Sequence, residues 1–150
     1  MVDILHRVGI TASPKEVYDA LTTIDGLAGW WTRDTTGDGE VGGVIRFRFE
    51  AAPPPSGFDM KVLAAEPAER VLWEVVEGPG EWVGTRIRFD LKQEDEYTIV
   101  LFAHEGWAAP NEFMHHCGTK WATFLMSLKK LVETGAGEPA PDDVRISNWH

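Results

Sequence analysis

Hydrophobic positions along the chain change their period three times. From Asp3 to Ile10, Ile4, His6, Val8 and Ile10 alternate with Leu5, Arg7 and Gly9, the two-residue repeat of a strand with one buried face. The repeat then lengthens. Ser13 is placed to cap a helix, Pro14 sits where its missing N–H costs nothing, and Glu16 completes a capping box. Val17, Ala20 and Leu21 follow at helical spacing, and a second short helix is predicted from Ile24 to about Gly29, ending at Trp30-Trp31. Alternation then returns. Val44 to Glu50 sets Ile45, Phe47 and Phe49 against Arg46, Arg48 and Glu50. Gly57 to Ala65 offers Phe58, Met60, Val62 and Ala64; Val71 to Glu77 offers Val71, Trp73 and Val75; Thr85 to Lys92 offers Ile87, Phe89 and Leu91. Tyr97 to His104 is also a predicted strand, but too apolar throughout for periodicity to assign its faces. Turn residues separate these segments at Pro53-Pro54-Pro55-Ser56-Gly57, Gly78-Pro79-Gly80 and Glu94-Asp95-Glu96.

The period changes for the last time near Asn111. Up to Glu133, Cys117, Trp121, Phe124, Leu125, Leu128, Leu131 and Val132 form an amphipathic stripe, Lys120, Lys129 and Lys130 lie mostly off it, and Gly135 is placed to cap the helix. Residues 136–150 are expected to be an irregular tail, with Trp149 able to pin it to the body. Consistent alternation implies an antiparallel sheet with one wet face. The final helix is the only predicted element long enough to cover the other face. The fold class is therefore α+β: one domain over residues 1–150, with a curved antiparallel sheet around a long C-terminal helix and two short helices after the first strand.

Composition narrows the partners. With 14 basic and 24 acidic residues the formal charge is −10, which disfavours nucleic acid and anionic membrane surfaces. Apolar runs stay far below the ~20 residues of a membrane span. The first residues, MVDILHRV, lack a signal peptide's apolar stretch, and a lone Cys117 excludes an intrachain disulfide framework. The expected address is cytoplasmic. Seven Trp and seven Phe are more bulky material than a minimal core needs.

Each candidate for chemistry has two readings. The aromatic set can fill a core or line a hollow. On the scale of truncation cavities, a ~300 Å³ void costs about 7 kcal/mol, comparable to the ~5–15 kcal/mol net stability of a domain, so a void without a use tends to fill. His104, beside Glu105-Gly106-Trp107, is either a hydrogen-bonded structural histidine or a polar contact and general base at a cavity mouth. It is the one candidate catalytic residue. His115-His116-Cys117 cannot converge on one metal ion, because neighbours on a helix point about 100° apart; Cys117 reads as a buried small hydrophobe. No metal or cofactor is expected. Gly37-Asp38-Gly39-Glu40-Val41-Gly42 matches a dinucleotide fingerprint literally, yet a strand and not a helix follows it, so it reads as a hairpin-like loop. Arg46, Arg48, Arg86 and Arg88 face outward, where cross-strand carboxylates explain them. Trp82 and Trp107, in or beside loops, read first as packing residues, the other reading being that they gate a cavity or contact a partner.

Ala12-Ser13-Pro14-Lys15-Glu16-Val17-Tyr18 after the first strand, Trp30-Trp31-Thr32, the Glu66-Pro67-Ala68-Glu69-Arg70 turn, His104-Glu105-Gly106-Trp107 and Gly118-Thr119-Lys120-Trp121 together resemble the START-like helix-grip (SRPBCC) superfamily. The nearest branch is that of the heat-shock-protein ATPase activator and polyketide-cyclase-like proteins. The resemblance runs from about residue 4 to 134. It implies a cavity between sheet and long helix, lined by Trp30, Trp31, Phe47, Phe49, Phe58, Met60, Trp73, Phe89, Val100, Phe102, His104, Trp121, Phe124 and Leu125. It also implies that Thr98, Val100, Phe102 and His104 turn inward. The leading expectation is binding of a small hydrophobic or aromatic, lipid- or polyketide-like molecule, through apolar burial at ~25 cal/mol per Å². His104, with Tyr18 or Arg33, would orient it. A cyclase- or hydrolase-like enzyme using the same cavity is the alternative, and a chaperone-ATPase-interacting module a third reading. A homodimer and a chaperone partner are both left open.

Overall fold

A computed structural model describes residues 1–50 and 56–150. In chain order it holds β1 (Val2–Ile10), α1 (Pro14–Thr22), α2 (Ile24–Trp30), β2 (Asp34–Gly37), β3 (Val44–Arg48), β4 (Gly57–Glu66), β5 (Arg70–Glu77), β6 (Arg86–Glu94), β7 (Tyr97–Trp107) and α3 (Glu112–Thr134). The Pro53-Pro54-Pro55 turn lies outside the described residues. The strands form one curved, wholly antiparallel sheet in the order β1-β7-β6-β5-β4-β3-β2. The helices cover its concave face, and the expected α+β helix-grip architecture is what forms.

The Ser13 and Gly135 caps form where the sequence places them, and Thr23 and Asn111 cap the starts of α2 and α3. Ser13 Oγ accepts the Glu16 N–H at 3.2 Å, and its own hydroxyl donates to the Glu16 carboxylate at 3.3 Å. Thr23 Oγ1 accepts from the Gly26 N–H, Asn111 Oδ1 accepts from the Met114 N–H, and Gly135 ends α3 with φ 93°. Glu133 then ties the end of α3 to the β1–α1 corner. Its carboxylate accepts from the Thr11 N–H (2.8 Å), the Thr11 hydroxyl (2.9 Å) and Lys129 Nζ (2.8 Å).

The inward faces follow the alternation in β3, β5 and β6, where Ile45, Phe47, Val71, Trp73, Val75, Ile87 and Phe89 are fully buried. Two departures are informative. In β4 the pairing slips between Val62 and Ala64, so Ala65, opposite Val71, joins the core in place of the expected Ala64. A bulge inserts one residue and inverts every face after it. The extra strand β2 was not expected at all: Asp34-Thr35-Thr36-Gly37 contains no hydrophobic residue, and only Thr35 is buried. It pairs with β3 across the glycine-rich loop, so the fingerprint-like segment is a hairpin. Gly37 is required there, with φ 111° and the Val44 carbonyl oxygen 2.2 Å from where a Cβ would stand.

In β7, Thr98, Val100, Phe102 and His104 turn inward and are buried, as the resemblance implied, while Ile99 and Ala103 on the other face are buried too. Burial on both faces explains why periodicity could not assign them. The tail is irregular but fastened. Ala140 forms a parallel bridge to Thr32, its N–H donating to the Trp31 carbonyl at 2.8 Å and its carbonyl accepting from the Arg33 N–H at 3.1 Å. The Glu138 N–H donates to Ser127 Oγ at 2.7 Å. Ala140 is buried in the backbone bridge, and Trp149, though 47% exposed, rests against His116 of α3 with ring centroids 5.5 Å apart, so both fasten the tail.

Candidate functional site

Between α3, the β3–β5 side of the sheet and the tail lies a cavity of about 600 Å³. Trp31 sits at its base, delivered there because Trp30 fills the core behind it: Trp30 Nε1 donates to the Ala20 carbonyl at 2.9 Å. The Trp31 ring lies 4.9 Å from Trp121 and 5.7 Å from Phe58, centroid to centroid. Phe58 stacks on Trp82 at 4.0 Å with planes 9° apart, and Trp82 faces Trp121 at 5.9 Å. Phe49, Phe113 and Phe124 extend this aromatic wall. Offset-stacked and edge contacts of this kind hold rings in fixed orientation, so the wall is built before any guest arrives.

The other end is polar. Lys120 Nζ donates to Asp143 Oδ2 (2.5 Å) and to the Val144 carbonyl (2.8 Å), and lies 5.3 Å from the Phe124 ring centroid. The expectation that Lys120 lies off the buried stripe is therefore corrected: only 15% of its side chain is exposed. His116 also faces the cavity, with its pKa lowered by burial and then by Lys120 and His150, which keeps the ring neutral near pH 7. Cys117 lines the wall, but burial pushes its thiol up to about 12, against a smaller opposing effect of Trp82. A thiol so protonated is a poor nucleophile.

Of the fourteen residues expected to line a cavity, five do so: Trp31, Phe49, Phe58, Trp121 and Phe124. The other nine, Trp30, Phe47, Met60, Trp73, Phe89, Val100, Phe102, His104 and Leu125, are buried at 2% exposure or less and pack beneath it. The aromatic set thus fills one end of the sheet–helix space and lines the other. Tyr18 lies instead in a separate shallow hollow against residues 37–41, and Arg33 pairs with Asp142; neither reaches the aromatic cavity.

His104 needs correction as a residue of the mouth. It is fully buried, and burial lowers its pKa to about 3, so the imidazole is neutral. Trp121 Nε1 donates to Nδ1 at 3.1 Å, which leaves the proton on Nε2. That N–H donates to Thr85 Oγ1 at 2.8 Å, and the Thr85 hydroxyl donates to the Trp82 carbonyl at 2.5 Å. Every polar atom of the ring is spoken for. The histidine orients Trp121 and the Trp82 loop, two pieces of the cavity wall, and offers no proton to a substrate. Sequence reasoning missed Phe113, His116, Lys120 and Asp143 as lining residues, and preferred a packing role for Trp82. For Trp82 the aromatic side chain was the signal, whereas Asp143 comes from a tail with no periodicity at all. Among the described residues no three His, Cys, Asp or Glu side chains cluster as metal ligands, and no helix is long and apolar enough to cross a membrane.

Comparison with known proteins agrees with this fold. Residues 11–133 match the family described as activator of Hsp90 ATPase homolog 1-like protein. The solution structure of the Aha1 dimer from Colwellia psychrerythraea is 47% identical and superposes with a TM-score of 0.83, covering 91% of this chain and 100% of that one. CalU16 from Micromonospora echinospora has 21% identity and a TM-score of 0.70 (93% and 77% covered). SSP2350 from Staphylococcus saprophyticus has 16% identity and a TM-score of 0.74 (99% and 100% covered). These last two likenesses bear on fold alone. A search of curated proteins returned no match.

Proposed function

The chain belongs to the activator of Hsp90 ATPase homolog 1-like family, on the helix-grip (SRPBCC) fold, and from that starting point we propose that it binds a small hydrophobic or aromatic molecule. One observation carries this reading: a hollow of about 600 Å³ whose walls are Trp31, Phe58, Trp82, Trp121 and Phe124. Its volume lies in the ~300–1,000 Å³ range of small-molecule sites, which are typically apolar with a few placed polar groups. Below it, Phe47, Trp73, Phe89 and Phe102 close the interior completely. A chain able to pack rings that tightly leaves others facing a hollow, and that contrast supports a guest.

The test is a titration of delipidated protein with a library of aromatic and acyl compounds, read by quenching of tryptophan fluorescence and by thermal shift. Binders are expected to quench and to stabilise. Phe58→Ala, which removes one of two stacked rings from the wall, is expected to weaken binding roughly tenfold or more. A library-wide absence of any response would end the proposal.

A second reading, as a homodimer that engages a chaperone ATPase, is favoured by the 47% identity to a protein solved as an Aha1 dimer. Size-exclusion chromatography with light scattering tests the dimer, and a pull-down with an Hsp90-type ATPase tests the partner. A monomer that retains no ATPase would remove this reading and leave the cavity untouched. The cyclase- or hydrolase-like alternative has lost its proton-transfer candidate in His104.

A further inference from the structure

The tail is fastened in two different ways along its length. Residues 138–142 are tied through the main chain: the Glu138 N–H donates to Ser127 Oγ, and Ala140 shares two backbone hydrogen bonds with Trp31 and Arg33. Arg33 also pairs with Asp142. Beyond that point the backbone bonds turn inward. The Ile146 N–H donates to the His150 carbonyl at 2.7 Å, and the His150 N–H donates to the Ser147 carbonyl at 3.2 Å. Asp143 Oδ1 likewise faces His150 Nε2 of the same segment, at 3.9 Å. Among the described residues, two side chains of α3 hold residues 143–150 to the body. Lys120 Nζ donates to Asp143 Oδ2 at 2.5 Å and to the Val144 carbonyl at 2.8 Å, and the His116 ring lies 5.5 Å from that of Trp149.

Asp143, Trp149 and His150 nevertheless form part of the cavity lining. Most of the remaining described lining stands on α3 or on and beside β3, β4 and β5, and the β5–β6 turn that carries Trp82 is fastened by its own backbone bonds. Local opening follows the weakest fastening. Resting on the reading that the cavity holds a guest, we propose that residues 143–150 are a strap across it, latched by Lys120, and that guests enter and leave when the strap lifts. The latch suits release. Its two side chains are only 15% and 4% exposed, so the desolvation of both charges offsets much of their attraction, and both regain water when the strap opens. Arg48, the other Lys or Arg side chain on the lining, is engaged by Asp59 at 2.7 Å.

Stopped-flow fluorescence of the full chain with N-phenyl-1-naphthylamine, a neutral aromatic probe, measures both rate constants. Lys120→Met keeps the apolar stem, removes the ammonium group and leaves the Asp143 carboxylate without its cation, so the strap favours water. A strap that must lift scales both rates by its open fraction. Lys120→Met is therefore expected to raise association and dissociation together, each about tenfold, with Kd changed by less than about threefold. Trp149→Ala loosens the same segment with every charge in place and should also speed association. A fixed wall behaves differently: trimming it speeds dissociation and leaves association alone. Hydrogen exchange of the wild type, read by NMR, needs no variant. The Ile146 and His150 amides should exchange faster than the Ala140 amide in the free protein and slow once the probe is bound. Association rates unchanged in both variants, or an Ile146 amide protected as well as that of Ala140 in the free protein, would overturn the strap and leave the cavity reading standing. Wild type that binds no probe would overturn both.

Discussion

At the scale of the residue, His104 shows how position and chemistry separate. Its place at the end of an apolar strand was readable, as was its capacity to donate and accept. The partners were not, because Thr85, Trp82 and Trp121 are 19, 22 and 17 residues away and only the sheet and α3 bring them together. Its behaviour with pH follows from burial. An unfolded histidine takes a proton near pH 6.5, whereas the folded one resists until about 3. Its contribution to stability is therefore complete above 6.5 and is lost as pH falls from 6.5 toward 3, with a slope of roughly 1.4 kcal/mol per pH unit. Urea unfolding between pH 7 and 5 should show this slope in wild type, and His104→Gln should flatten it. An unchanged slope in the variant would mean that the ring titrates freely. At neutral pH the same variant should lose about 1–3 kcal/mol, since it leaves members of a buried hydrogen-bond chain unpaired.

Among the elements, helices were legible where caps announce them and strands where apolar residues alternate. Legibility failed where neither device is used. β2 has no apolar residue and exists because β3 offers it hydrogen bonds. The β4 bulge inverts the face after Val62 with no warning in composition. It follows that Ala65→Asp, which places a charge against Val71, should destabilise more than Ala64→Asp; thermal melts giving the reverse order would contradict the observed register. The clasp between α3 and the β1–α1 corner makes a second prediction. Lys129 first, and then the Thr11 N–H, depress the Glu133 carboxyl to about 2. Such a group stabilises the fold above its unfolded pKa near 4.5, and the benefit disappears as pH falls toward 2. Glu133→Gln should therefore lower the melting temperature at pH 7, with the difference from wild type closing between pH 4.5 and 2. A difference independent of pH would mean that shape alone, and not charge, holds the corner.

The whole molecule divides its aromatic residues between two tasks, and this division was beyond the reach of sequence. Periodicity identifies residues that face the concave side of the sheet. It does not say how far α3 and the tail stand from the sheet at each point along it. Where α3 comes close, Phe102 and Trp121 meet at 4.6 Å and the interior closes. Toward β3 and β4 the rings of Phe49 and Phe58 instead face the hollow, and the tail crosses its far side. Lys120 and Asp143 became legible as site residues only after that crossing was seen. The central claim is that this hollow takes a guest. Native mass spectrometry of the protein purified from its own source tests it most directly. The account predicts a one-to-one non-covalent complex with a drug-sized, largely apolar molecule, released on unfolding. A spectrum showing only the bare polypeptide, unchanged after incubation with aromatic and acyl libraries, would contradict it.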